Sequence, residues 1–297
     1  MHLDHQHHLA YCTNIHPAES WAETLGALQD HTLKVRDKVI RDNEPYAIGL
    51  RLSALAASEL LEDDNLPLFQ DWLASQNCYV FTINGFPYGA FHGTRVKENV
   101  YRPDWSSPER LTYTNQLFEI ISRLTPEGVE GSVSTLPGSF KAFQADEASL
   151  FANLEACAHH IESLSGKTGR DLHLGLEPEP LGHFENTSDT LAFFERLLEQ
   201  ADDPDLLLRR LGINYDTCHF AVEFNDCRES IDALRGAGLR LSKVHLSNAL
   251  AFDLDNPEAV EAISQFDEPT YLHQLITRDA TGHRFFTDLP EGLARLR

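Results

Sequence analysis

Three short runs in the second half of the chain each place a metal-binding side chain where an apolar stretch stops. They are Leu174-Gly175-Leu176-Glu177-Pro178-Glu179-Pro180, Ile213-Asn214-Tyr215-Asp216-Thr217-Cys218-His219 and Lys243-Val244-His245-Leu246-Ser247-Asn248. Glu177, Asp216 and His245 are two carboxylates and an imidazole, a donor set that suits Mn, Zn, Fe or Mg. Two facing carboxylates repel, and a divalent ion removes that cost. Taken singly, each residue has a plainer reading. An Asp after a strand commonly caps a helix, and one buried His is commonly a satisfied core residue. The ordered set, one donor after each predicted strand, favours metal. His219 follows Asp216 closely and is a further candidate ligand. Glu177, Glu179 and His219 are the candidates for proton transfer. His16, Asn84 and His92 are candidate pocket residues, with His92 also readable as an ordinary surface-loop residue. Cys218 reads as a packed neighbour of Asp216, since nothing pairs it with a base.

These residues need elements that bring them to one place. Short apolar runs alternate along the chain with longer amphipathic stretches. Strands are expected near 9–13, 46–52, 78–84, 129–136, 172–177, 212–216 and 241–246. Helices are expected from Ser20 to about Arg41, through Leu61, after Asn65-Leu66-Pro67, from Pro108, from Asp146 to about Ser165, over 187–200 and 228–235, and after Asn256. Such alternation builds βαβ units and a parallel sheet. Seven units in a row fit a closed (β/α)8-type TIM barrel better than an open doubly wound sheet. No Gly-x-Gly-x-x-Gly follows the first strand, so a dinucleotide site is not supported. In a barrel the strand ends converge on one face, where catalytic residues collect.

Two regions break the rhythm. Residues 85–108 are rich in Gly, Pro and aromatics, and read as one long inserted loop, of the kind that closes over a site. Residues 271–277 could form the eighth strand or pair with 283–286 as a hairpin, and a helix is expected after Asp288. The whole chain, 1–297, reads as a single domain.

Composition narrows the functions. The chain has 297 residues, 42% of them hydrophobic, enough for a full core. Its 46 acidic residues against 24 Lys and Arg give a net charge of −22. Such a surface repels phosphate backbones and anionic membranes. A small-molecule partner is therefore expected rather than nucleic acid, with no membrane insertion. A homo-oligomer is compatible with the sequence. The 5 cysteines form no CxxC pair, which argues against a disulfide framework or zinc ribbon. The N-terminal segment lacks the pattern of a secretory signal, so cytoplasm is the simplest address. Its histidines (His2, His5, His7, His8) are irregularly spaced and read as an exposed segment.

The metal-ligand segments resemble the xylose-isomerase-like barrel superfamily, which includes sugar isomerases, sugar epimerases and endonuclease IV. Asp216-Thr217-Cys218-His219 resembles the Asp-x-x-His of endonuclease IV, and Val244-His245-Leu246-Ser247-Asn248 its His-Leu-Asn segment. The opening Tyr11-Cys12-Thr13-Asn14-Ile15-His16-Pro17, with Glu19 and Trp21, is similar to the start of the EboE family, the metabolite-traffic barrels of the bacterial ebo gene cluster. That similarity runs over the whole chain, including Tyr271-Leu272-His273-Gln274 and Asp288-Leu289-Pro290.

The resemblance implies a divalent metal, and a sugar, cyclitol or related metabolite whose carbonyl is polarised while an enediolate is stabilised. It also implies a last acidic ligand on the eighth strand, which has no clear counterpart here. Family members extend past the position of Arg297, so the resemblance implies a truncated chain. The fourth predicted strand carries no His, unlike the full three-metal cluster of endonuclease IV. Two rivals follow: a metal-dependent hydrolase or nuclease of the endonuclease IV type, and a non-catalytic metabolite-binding protein on the same barrel.

Overall fold

The computed structural model describes residues 1–3, 7–41, 44–89, 97–267 and 273–296. His5, His92, Tyr271 and Leu272 lie outside the described residues.

Seven parallel strands form one sheet in sequence order: β1 (Tyr11–Cys12), β2 (Tyr46–Arg51), β3 (Cys78–Asn84), β4 (Gly131–Thr135), β5 (Leu172–Leu176), β6 (Leu211–Asp216) and β7 (Arg240–His245). Every neighbour pair is parallel, so each connection carries the chain back across the outside of the sheet. This is the winding of an α/β barrel. The sheet curls until strands far apart in order meet: Lys243 Nζ on β7 donates to Ser134 Oγ on β4 at 3.2 Å. All residues of β2, β4, β5 and β6 are buried, whereas β7 is only partly covered. β7 and β1 are the two ends of the sheet.

Of the two readings left open for the segment near residue 275, the hairpin is the one formed. Leu275–Asp279 (β8) pairs antiparallel with Gly282–Phe286 (β9). The reason is local. Asp279 Oδ1 accepts from Thr281 N at 2.7 Å, and Gly282 takes φ +127°, a conformation that side-chain-bearing residues rarely adopt. The hairpin and the last helix bury Leu275, Phe286, Leu289 and Leu293 in a small cluster of their own.

The helices are α1 (Trp21–Ala27), α2 (Leu33–Val39), α3 (Ala54–Leu61), α4 (Asn65–Ser75), α5 (Pro108–Leu124), α6 (Glu147–Thr168), α7 (Thr187–Gln200), α8 (Pro204–Arg210), α9 (Thr217–Val222), α10 (Cys227–Gly236), α11 (Pro257–Ser264) and α12 (Leu289–Leu296). Their starts follow capping chemistry. Ser20 and Glu23 form a reciprocal capping box, and Asp146 and Asn256 accept from the first-turn amides of their helices. The expected helix from Ser20 is interrupted: a π turn over Leu28–Thr32 joins α1 to α2. α8 and α9 are too short to show in the sequence periodicity. The main core lies between the sheet and these helices.

Both ends of the inserted loop are anchored. The fully buried Arg110 on α5 donates from Nη1 to the Gly85 and Phe86 carbonyls at 2.8 and 3.0 Å. Its Nε reaches the Pro103 carbonyl at 2.8 Å. A buried guanidinium thus satisfies backbone that would otherwise be stranded.

Candidate metal centre

The centre is built at the ends of β5, β6 and β7. Glu177 follows β5 directly, and its amide donates to the Thr135 carbonyl at 2.9 Å, continuing the β4–β5 ladder. Asp216 is the last residue of β6 and His245 the last of β7, and the sheet register places these two opposite one another. Side chains alternate along a strand. Asn214 and Asp216 therefore share one face of β6, as Gly175 and Glu177 share one face of β5.

The donor atoms converge. His245 Nδ1 lies 3.3 Å from Asp216 Oδ2 and 3.4 Å from Glu177 Oε1. One donor atom from each residue falls within 4.8 Å of the other two. Around a tetrahedral zinc with bonds of about 2.0–2.2 Å, neighbouring donors stand about 3.3–3.6 Å apart. The two separations match edges of such a shell, so the residues fit a divalent ion.

The donors are held by further polar groups. Asn214, fully buried, donates from Nδ2 to Glu177 Oε2 at 2.6 Å and lies 3.2 Å from His245 Nδ1. Asp216 Oδ1 accepts from the Cys218 amide at 3.0 Å and from the Ser247 hydroxyl. Thr217 Oγ1 donates to the His245 and Ser247 carbonyls at 3.1 and 2.7 Å, tying the end of β7 to α9. Partners of this kind fix the direction in which a ligand presents its lone pair.

The electrostatics match. Burial pushes the Asp216 carboxyl up, but hydrogen bonds from His245 and Ser247 and the nearby His219 hold it well below the usual range. Burial and Lys243 lower His245, and Glu177 and Asp216 more than reverse that.

His219 and Glu179 form a second layer. His219 Nδ1 donates to the Pro178 carbonyl at 3.1 Å and sits 3.8 Å from Glu177 Oε1. Its Nε2 faces Glu179 Oε2 at 3.8 Å. Burial, with the charges of Glu177 and Asp216 adding to it, pushes the Glu179 carboxyl up to about 8. Burial lowers His219, but the Cys218 contact and the three surrounding carboxylates raise it well above its usual value. Asp216, Cys218 and His219 also form a group whose donor atoms could share one ion.

Asn84 ends β3, pairs in register with Ser134, and accepts from the Phe86 amide at 3.0 Å. His16 bonds Tyr11 Oη at 3.1 Å and stacks on His31 at 4.9 Å between ring centres. Sequence reasoning passed over Asn214, Ser247 and Lys243. Asn214 and Lys243 each precede a ligand by two positions, which is the period of a strand face and the one available signal.

No family model matches the chain, and no curated protein matches it. Among solved structures it is similar to 3-keto-D-glucoside 4-epimerase from E. coli, at 14% identity and TM-score 0.47, covering 92% of this chain and 94% of that one. D-psicose 3-epimerase matches at 13% identity and TM-score 0.48, over 85% of this chain and 79% of that one. A zinc-bound IolI protein matches at 14% identity and TM-score 0.44, over 78% and 70%. Likeness at this level says nothing of chemistry.

Proposed function

We propose that this chain is a metal-dependent isomerase or epimerase of a small polyhydroxylated metabolite, a sugar or cyclitol, and that it is of the EboE type. One observation carries the enzymatic reading: donors from Glu177, Asp216 and His245 converge at separations that match a coordination shell. The EboE assignment is supported by the opening segment from Tyr11 to Pro17.

A divalent ion held by Glu177, Asp216 and His245 would polarise a substrate carbonyl as a Lewis acid. The chain's own residues supply the rest. Asn214 and Ser247 keep the two carboxylates aimed. Glu179 is a buried carboxyl whose proton affinity burial raises, and it faces His219 Nε2 at 3.8 Å. We assign the proton transfers to Glu177, Glu179 and His219, one group taking a proton and another returning it: to the neighbouring carbon in an isomerisation, to the opposite face of the same carbon in an epimerisation. His219 is oriented by its bond to the Pro178 carbonyl. His16, Asn84 and His92 are proposed to line the pocket, and His219 to adjoin or complete the metal shell. No described helix is long and apolar enough to cross a membrane. A cytoplasmic location is part of the proposal.

The test is elemental analysis of protein purified without chelators, followed by incubation with sugars, sugar phosphates and cyclitols in D2O. Stoichiometric metal with deuterium entering a carbon position supports the reading. Metal with ligand binding and no exchange points to a carrier. Protein free of metal, or incision of abasic DNA, overturns it.

A further inference from the structure

α9 ends in a turn that breaks a local rule. The Phe224 amide donates to the Ala221 carbonyl and the Asn225 amide to the Phe220 carbonyl, both at 3.0 Å. This is the Schellman turn that closes many helices, and its left-handed position is commonly taken by Gly. Here Phe224 holds that position, at φ +57°, a conformation that bulky side chains rarely adopt. A backbone outlier of this kind persists where its surroundings over-determine it. What the ring touches is therefore informative.

The ring is 38% exposed and meets the hairpin. It stacks on His283 of β9, with ring centres 5.1 Å apart and planes 26° from parallel. The Arg278 guanidinium of β8 lies over it at 4.4 Å. Arg278 and His283 are register partners across the hairpin, so Phe224 seats against one cross-strand pair.

The hairpin meets the barrel at a second point. Gln274 Nε2, just before β8, donates to the Pro180 carbonyl at 3.4 Å. Both anchors belong to segments that carry the metal donors. Pro180 lies in the loop that begins with Glu177, and Phe224 closes the helix that starts after Asp216 and carries His219. The hairpin thus straddles the rim of the metal face. Its apolar side chains Leu275 and Phe286 pack with α12 in a cluster separate from the main core. Lifting the hairpin off the rim breaks the ring stack, the cation–π contact and the Gln274 bond, and leaves both clusters whole.

We propose that the hairpin is a lid over the metal centre and that Phe224 is its latch. This goes beyond the reaction proposed above and rests on the metal-centre reading for what the lid covers. Surface contacts of this kind keep a lid closed most of the time and let it open without unfolding the barrel.

The experiment compares the unmodified full chain with Phe224→Gly and Phe224→Tyr. Glycine suits the left-handed turn better than Phe, so Phe224→Gly keeps the helix end and removes the ring. Stopped-flow mixing follows uptake of Mn(II) and its release to a chelator. Hydroxyl-radical footprinting follows the exposure of Pro180, which is buried in the latched state. Phe224→Gly is expected to speed uptake and release alike by about tenfold, the worth of an aromatic stack with a cation–π contact beside it. Affinity stays the same, because a gate changes both rates by one factor, and oxidation of Pro180 rises. Phe224→Tyr keeps the ring, so its rates should stay within about threefold of the unmodified chain. Unchanged rates in a Phe224→Gly chain of unaltered circular dichroism overturn the proposal. So does faster release without faster uptake, the mark of a weakened site, or an unchanged Pro180 footprint. An unmodified chain that takes up no Mn(II) instead sinks the metal-centre reading, and the lid with it.

Discussion

Asp216 Oδ2 and His245 Nδ1 face each other at 3.3 Å, and the two residues are register partners on adjacent parallel strands. Their contact is therefore set by the backbone ladder rather than by flexible side chains reaching across a gap. Such a pair is preorganised, and binding an ion there requires little rearrangement.

Removing either donor should empty the centre. Asp216→Ala and His245→Ala are expected to lower metal affinity by more than about 100-fold, beyond what loss of a supporting residue costs. The fold should persist, since most of the core lies between the sheet and the helices. Metal content of the purified variants decides. If both retain the ion at full stoichiometry, the ligand assignment is wrong.

The support for Glu177 should matter almost as much. Asn214 donates to Glu177 Oε2 at 2.6 Å from a fully buried position. Asn214→Ala is expected to weaken metal binding about 10- to 100-fold, because Glu177 loses its orientation. A chelator competition titration reads this directly, and a shift of under threefold would assign Asn214 to packing alone.

The N-terminal side of the sheet has its own pH signature. Glu130 Oε2 lies 3.4 Å from His173 Nε2 and 3.1 Å from Arg240 Nη2. The nearby His173 pulls the Glu130 carboxyl down to about 2, against burial and with help from Arg240. A depressed carboxyl contributes stability that is present above its unfolded value of about 4.3 and is lost as pH falls through the folded one. The Glu130 side chain is 61% exposed, so solvent screening limits the gain to about 0.2–1 kcal/mol. Urea unfolding of Glu130→Gln beside the unmodified chain should show that gap at pH 6 and its disappearance toward pH 2. A gap that stays constant over the range contradicts the linkage.

The anchor of the inserted loop should be among the most sensitive positions. Arg110→Met keeps the volume but leaves the Gly85, Phe86 and Pro103 carbonyls without their donor. At about 1–3 kcal/mol for a buried group left unsatisfied, the total loss should reach about 3 kcal/mol or more. Thermal melting and proteolysis within 85–108 would report it. A melting temperature within about 2 °C of the unmodified chain would show that water replaces the guanidinium.

Much of the sheet was readable because its signals are local. The apolar runs near 172–177, 212–216 and 241–246 end abruptly in Glu177-Pro178, Asp216-Thr217 and His245-Leu246, and a strand that stops at a charged residue marks its own end. The first strand is shorter than expected, Tyr11–Cys12, and the helix from Ser20 is broken by a π turn. Periodicity over one stretch reports which face is apolar, and it does not register one extra residue in a turn.

The sequence by itself determined the donor types of the candidate centre, their order, and the alternating βα plan that aims Glu177, Asp216 and His245 at one face. It also posed, without resolving, the choice between an eighth strand and a hairpin near residue 275. Tertiary structure decided what depends on contacts between distant segments. The hairpin is closed by a turn in which Asp279 accepts from the Thr281 amide and Gly282 takes a positive φ. Asn214 became the support of Glu177, and a bulge at Ser242 brought Lys243 into the barrel. Register and bulge are properties of two strands together, and neither strand states them alone.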